Sequence, residues 1–178
     1  MIQAVSNDRT GTTVQAPGGI RMNLNYRTVE IRVDPAPTSS PDITETPIPR
    51  DPALFPHTVH AMGFAFRLSI LSKPPHNLPT NPDPFTAYID FNALDRDLTI
   101  RPPRPGDRIQ PLGMIHKKKL SDFFIDARID KSERGAIPLL LCGDEVVWIV
   151  GHRIAHPARV RPATRRILRI HAKIKVRK

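Results

Sequence analysis

Cysteine is almost absent. Cys142 is alone in 178 residues, so no internal disulfide can form, and a disulfide-stapled secreted scaffold is excluded. Aromatic residues make up only 6%, with one tryptophan, too few for a surface that stacks splayed bases. No apolar run approaches the roughly 18 residues that a membrane helix needs. The first 20 residues also lack the apolar centre of a signal peptide. Neither G-x-G-x-x-G nor G-x-x-x-x-G-K-[ST] occurs, and Ser121 and Cys142 lack a nucleophile elbow. These absences lead us to expect a soluble, cytoplasmic protein with no catalytic residue and no metal site in this chain. Acidic residues are missing from the last 28 positions, which carry ten Lys and Arg.

What is present is positive charge and proline. The 27 Lys and Arg outnumber 17 Asp and Glu, for a net charge of +10 and a pI near 10.5. Hydrophobic residues reach 39%, enough for a modest core. Concentrated charge of one sign points to a polyanionic partner, nucleic acid rather than an anionic membrane; a merely solvated tail is the alternative. The 20 prolines cluster. Seven of them fall within residues 34–56 and mark a semi-rigid spacer there.

Hydrophobic periodicity predicts a mainly β protein. Val14 and Ala16, then Ile20, Met22 and Leu24, then Val29, Ile31 and Val33 alternate with polar residues around turn signals, predicting three short strands. The run from Met62 to Ile70 alternates, as do Ala87, Ile89 and Phe91, and Leu98–Arg101 adds a short strand. Leu120, Phe123, Phe124 and Ala127 are spaced for a helix, and Asp130–Glu133 reads as a capping box for a short turn. Ile137–Leu141 and Val146–Val150 are continuous apolar runs about Cys142–Glu145, a hairpin of two buried strands. Leu168, Ile170, Ala172, Ile174 and Val176 alternate with Arg169, His171, Lys173, Lys175 and Arg177. One face of that strand is apolar and the other cationic. The expected divisions are residues 1–33, 34–56 and 57–178.

Three groups of cations are candidates for anion binding. Arg101, Arg104 and Arg108 lie in a loop stiffened by Pro102, Pro103 and Pro105, where forked guanidiniums suit phosphate oxygens and Asp107 ties one arginine in place. The alternative is a structural loop with internal ion pairs. Lys117, Lys118 and Lys119 form a run before the helix. The cationic face of the last strand is the third candidate; its alternative is an edge strand guarded by lysines. Metal ligation by His57 and His60 is disfavoured because residues three apart on a strand face opposite ways.

In order, these residues resemble a family. Arg101-x-x-Arg104-Pro105-Gly106-Asp107-Arg108-x-x-Pro111-Leu112-Gly113 is followed by Lys118-Lys119-Leu120-x-x-Phe123-Phe124-Ile125-Asp126. Then come Ile137-Pro138, Gly143, Trp148, Gly151 and Arg153. The combination is similar to the C-terminal domain of bacterial tRNA(Ile)-lysidine synthetases. Ala16–Arg21 and Tyr26 resemble the end of that family's middle, substrate-recognition domain. The resemblance implies a β-sandwich with a short helical layer that grips the acceptor stem of an isoleucine tRNA. It implies that the full enzyme is an ATP-dependent ligase attaching lysine to the wobble cytidine, with ATP, Mg and lysine bound by a PP-loop domain. The S-G-G-x-D-S pyrophosphate loop of that domain is absent here. This chain is therefore expected to be inactive alone and to work with a PP-loop domain in cis or in trans; a homodimer is left open. A stand-alone RNA- or DNA-binding module is the other expectation. The residues expected to contact tRNA are Arg101, Arg104, Arg108, Lys117, Lys118 and Lys119, with Arg153, Arg165 and Arg166 weaker.

Overall fold

The structure is a computed structural model. It describes the backbone of residues 13–16, 20–24 and 29–33, and residues 45–75, 78 and 83–175 in full. Strands β1 (Thr13–Ala16), β2 (Ile20–Leu24) and β3 (Val29–Val33) form an antiparallel sheet in the order of the chain, as the alternation predicts. Residues 34–44 of the expected spacer, and Val176 and Arg177, lie outside the described residues.

The spacer ends earlier than proline density suggests. Strand β4 (Thr46–Ile48) pairs with β8 (Leu98–Arg101) and buries Ile48 to 4% exposure. Pro47 is tolerated because β4 is the edge of its sheet, where a missing N–H breaks no second ladder. Arg50 continues the attachment by donating to the carbonyls of Leu94 and Asp95.

Strands β5 (His57–Ala61), β6 (Phe64–Leu71), β7 (Thr86–Asp90) and β14 (Ile167–Ile174) form an antiparallel sheet in the order β5-β6-β14-β7. The alternating run that starts at Met62 is a strand only from Phe64. Met62 and Gly63, at φ +49° and +78°, make the two-residue turn between β5 and β6. Such a turn matches the twist of the flanking strands. The cationic last strand forms as expected but lies inside its sheet. It pairs with β6 along its whole length and with β7 over Ile167–His171, so the edge-strand alternative is corrected.

A five-stranded sheet has the order β13-β12-β11-β8-β4, with β11 (Leu139–Cys142), β12 (Glu145–Ile149) and β13 (Arg153–Ile154). The expected hairpin is β11–β12, closed by Gly143 at φ +57°. A side chain there would collide with Arg96, whose Cδ lies 2.7 Å from where a Cβ would sit. Leu140, Cys142 and Trp148 face the four-stranded sheet and join Phe66, Leu68, Ile89, Leu168 and Ile170 in one core. Leu139, Leu141, Val146 and Ile149 face the other way, against Leu120, Phe124, Ile129 and Ile109. The register shifts between Leu140 and Leu141, leaving Val147 as an extra residue between Val146 and Trp148. The bulge lets adjacent Val147 and Trp148 both enter the first core.

The second core is closed by helix α1 (Leu120–Asp126) and a small ladder of β9 (Arg108–Ile109) with β10 (Lys118–Lys119). Helix α1 ends with Arg128 left-handed at φ +54°. The Arg128 N–H bonds to the Ile125 carbonyl and the Ile129 N–H to that of Phe124, satisfying the last turn. Helix α2 (Lys131–Arg134) starts after Asp130, as the sequence predicts, but the Asp130 side chain makes no cap hydrogen bond to the helix, and the Glu133 N–H bonds to the Asp130 carbonyl in place of the expected capping box. The domain is therefore layered: four-stranded sheet, five-stranded sheet, helical layer.

Leu139 and Leu140 are adjacent and 0% and 1% exposed, on opposite faces. Leu139→Ala and Leu140→Ala should each cost about 2–5 kcal/mol in denaturant unfolding. A near-neutral result for one would mean that one face of the middle sheet is wet.

Candidate nucleic-acid interface

The proline-arginine loop is held by one buried ion pair. Arg101 is 6% exposed at the end of β8, and its NH1 and NH2 donate to the two Asp107 oxygens at 2.9 and 2.7 Å. Asp107 also accepts from the Arg104 N–H at 2.7 Å, and its own N–H donates to the Arg104 carbonyl at 3.2 Å. Pro102, Pro103 and Pro105 restrict φ, and Gly106 takes the turn at φ +93°. Burial pushes the Asp107 carboxyl up, but the bonds from Arg101 and the Arg104 N–H, with both arginine charges, outweigh it and hold the group below its ordinary value. Bonding to Asp107 holds Arg101 more firmly protonated. The expected tie by Asp107 is thus found, and it engages Arg101. As a phosphate contact Arg101 is therefore corrected: its guanidinium braces the loop from inside.

The other expected cations divide into paired and open. Arg104 reaches Glu45 at 2.7 Å, which binds the loop to the segment before β4. The Lys117 ammonium lies within 2.6 Å of both Glu145 oxygens, and Lys118 pairs with Asp126. Arg166 lies over the Phe91 ring, 5.6 Å from its centre, and donates to Asn92. Among the described residues, Arg108, Lys119, Arg153 and Arg165 meet no carboxylate, and all four are exposed. Arg108 and Lys119 are direct cross-strand neighbours on the β9–β10 ladder. Like charges so placed repel, at a cost of some tenths of a kcal/mol.

The loop after β9 is fixed by polar side chains that no sequence signal marked. Gln110 donates to the carbonyls of Met114 and Ile115, and the Gly113 N–H donates to His156 Nδ1 at 3.1 Å. A groove of about 420 Å³ opens between this loop and α1, lined by Leu112, Met114, Lys118, Phe123, His152 and Arg153. Loss of hydration lowers the His152 pKa. Its ring meets Phe123 edge-on at 6.4 Å. His57 and His60 point to opposite sides of β5. Among the described residues no group of three or more His, Cys, Asp or Glu could hold a metal ion. No described helix is long and apolar enough to cross a membrane.

Asp107→Ala leaves the Arg101 charge buried and should lower unfolding stability by about 3 kcal/mol or more. Because the folded carboxyl is held below its ordinary value, its contribution is present above about pH 4 and is lost as pH falls through the folded value. Stability of the parent protein and of Asp107→Ala should therefore converge at low pH in denaturant titrations. A constant gap down to pH 2 would overturn the assignment.

Known proteins carry the same pattern. The family described as "TilS substrate C-terminal domain" matches residues 98–171. A tRNA(Ile)-lysidine synthase of Dehalococcoides mccartyi is 37% identical over 112 residues, 63% of this chain and 24% of that protein. One of Symbiobacterium thermophilum is 29% identical over 161 residues, 86% of this chain and 32% of the relative. One of Parabacteroides distasonis is 42% identical over 82 residues, 46% and 19% of the two chains. The chain thus spans a third or less of the length of these relatives. The crystal structure of a TilS C-terminal domain superposes with a TM-score of 0.58 at 20% identity, over 68% of this chain and 93% of that one, and shows the same fold. The loop braced by Arg101 and Asp107, the ladder beyond it, helix α1 and the buried hairpin all fall within residues 98–171, the span that matches the TilS C-terminal domain family.

Proposed function

We propose that this chain is the tRNA-gripping part of a lysidine-forming ligase and holds the acceptor stem through its phosphates. The observation that carries the reading is the Arg108–Lys119 pair: two exposed cations set cross-strand on a two-residue ladder, with no carboxylate between them. An RNA phosphate between them removes their repulsion and gains two charge-assisted contacts. The braced arginine loop and the Gln110-anchored turn hold the ladder in place before binding, which limits the entropy lost on association. A duplex stem suits this surface because A-form RNA is read by shape and backbone contacts. Arg153 and Arg165 extend the contact; Arg104, Lys117, Lys118 and Arg166 serve it by leaving their local partners.

Lysine attachment at the wobble cytidine is the work of the whole enzyme. The described residues offer no acidic cluster for an ATP-bound Mg ion, and the sequence has no S-G-G-x-D-S loop. ATP, lysine and the chemistry belong to a PP-loop domain, and residues 1–33 are the end of the middle, substrate-recognition domain. The cytoplasm, where tRNA is modified, is the proposed location.

Arg108→Ala combined with Lys119→Ala should weaken tRNA binding. It should also reduce the slope of log K against log salt by about 1.4–1.8, at 0.7–0.9 per phosphate. The same variant should unfold no more easily than the parent, since a repulsion has been removed. Unchanged affinity and slope would sink the reading. Lysidine formation should be undetectable with this chain alone and restored when a PP-loop domain is supplied; product from the chain alone would refute the division of labour.

A further inference from the structure

The outward face of the four-stranded sheet carries cations of which all but Arg67 belong to the last-strand set that the sequence marks. Leu168, Ile170 and Ala172 are buried, so Arg169, His171 and Lys173 face outward. Register adds Arg67, cross-strand from His171 on β6, with Thr58 beyond it on β5. Arg67, Arg169 and Lys173 are exposed and meet no carboxylate among the described residues. Strands β5, β6 and β14 contain no Asp or Glu at all. Two acids border this cluster: Asp83, 3.5 Å from His171 and bonded to Thr86 and the Phe85 N–H, and Asp90 at the end of β7, cross-strand from Ile167 and accepting from Thr164 and the Asn92 N–H.

A solvated sheet face ordinarily mixes both signs. Lysines that guard against aggregation belong on edges, yet β14 is an inner strand. Alternate positions on a strand lie about 6.7 Å apart, so Arg169 and Lys173 hold two like charges in a row about 13 Å long. Arg67 lies beside that row on β6. Elsewhere the protein places carboxylates against Arg101, Arg104, Lys117 and Lys118. Here it leaves three cations open on a rigid plane.

We propose that Arg67, Arg169 and Lys173 form a second surface for the RNA sugar-phosphate backbone, separate from the Arg108–Lys119 ladder. The layering sets the two apart. The ladder and α1 cover one face of the five-stranded sheet, and the four-stranded sheet covers the other, so the cation plane looks out on the opposite side of the domain. One short stretch of duplex cannot lie on both, so the sheet face takes a different segment of the same tRNA. Hydroxyls of Thr58 and Ser69 stand among the cations and suit 2′-OH and phosphate oxygens. At the outward positions of β5, β6 and β14 the bulky apolar groups are half-buried Leu71, at the end of β6, and its cross-strand partner Ile167, which is 0% exposed; a membrane-seeking surface needs more. The identity of the polyanion rests on the proposed tRNA function.

The test is tRNA binding by the full chain across about 50–200 mM salt. Arg67→Gln, Arg169→Gln and Lys173→Gln together should reduce the salt slope by about 2.1–2.7, so that the fourfold rise in salt costs roughly 20- to 40-fold less affinity than in the parent. The loss should add to that of the Arg108/Lys119 variant, because the two sites are distant. Arg67→Lys with Arg169→Lys should restore most of the slope, which separates charge from misfolding. If the sheet variant matches the parent while the ladder variant loses affinity, the second surface is refuted and the first stands. If neither changes, both fall. Binding to phosphatidylserine vesicles that tRNA does not compete away, lost in the sheet variant, would also overturn the proposal in favour of a membrane surface.

Discussion

A strand buried on both faces has no side on which to carry a polar residue. Strand β11, and β12 beyond Glu145, are in that position. Leu139 and Leu141 pack under helix α1 while Leu140 and Trp148 pack against the opposing sheet. Everything else is arranged around this requirement. The four-stranded sheet must cover one side, and α1 with the β9–β10 ladder must cover the other. Val147 is the accommodation: an extra residue in the ladder shifts the phase of β12 so that each face receives bulk where its cover needs it. The thickness of the domain and the separation of its two outer surfaces follow from hydrophobic burial at its centre.

Charge is arranged around those layers by a simple division. Cations near the loop are mostly matched by carboxylates, and the best matched, Arg101, is sealed in. Its pairing with Asp107 gives the loop its shape and leaves Arg108 and Lys119 outside it. An isolated surface ion pair contributes little to stability. Arg104–Glu45 and Lys118–Asp126 matter instead because they occupy cations that the proposed phosphate contact would have to free. The net charge of +10 therefore overstates what a polyanion meets in some places and understates it in others.

Much of the fold was legible because burial leaves a period. The alternation in β6 and β14, the continuous apolar runs of β11 and β12, and the spacing in α1 each report a local relation to the core. What could not be read depended on partners distant in the chain. Pro47 looks like spacer until β8 supplies a ladder for it. Arg101 looks like a ligand for phosphate until burial assigns it to Asp107, although Asp107 was legible as the tie within the loop. Arg67 is a single cation in an apolar strand, and only the register with β14 gives it neighbours. The inner position of β14 was likewise invisible, because periodicity describes faces and not sheet order.

Strand β4 is three residues long, yet it closes the edge of β8. Leu98 and Ile100 are 1% exposed, and without β4 the backbone donors and acceptors beside them would face solvent as an apolar, unpaired rim. The folding unit therefore includes Glu45 and β4 and does not start only at His57, where the longer strands begin. Any shortening of the chain past that point would trade a closed sheet for one that seeks a strand from another molecule.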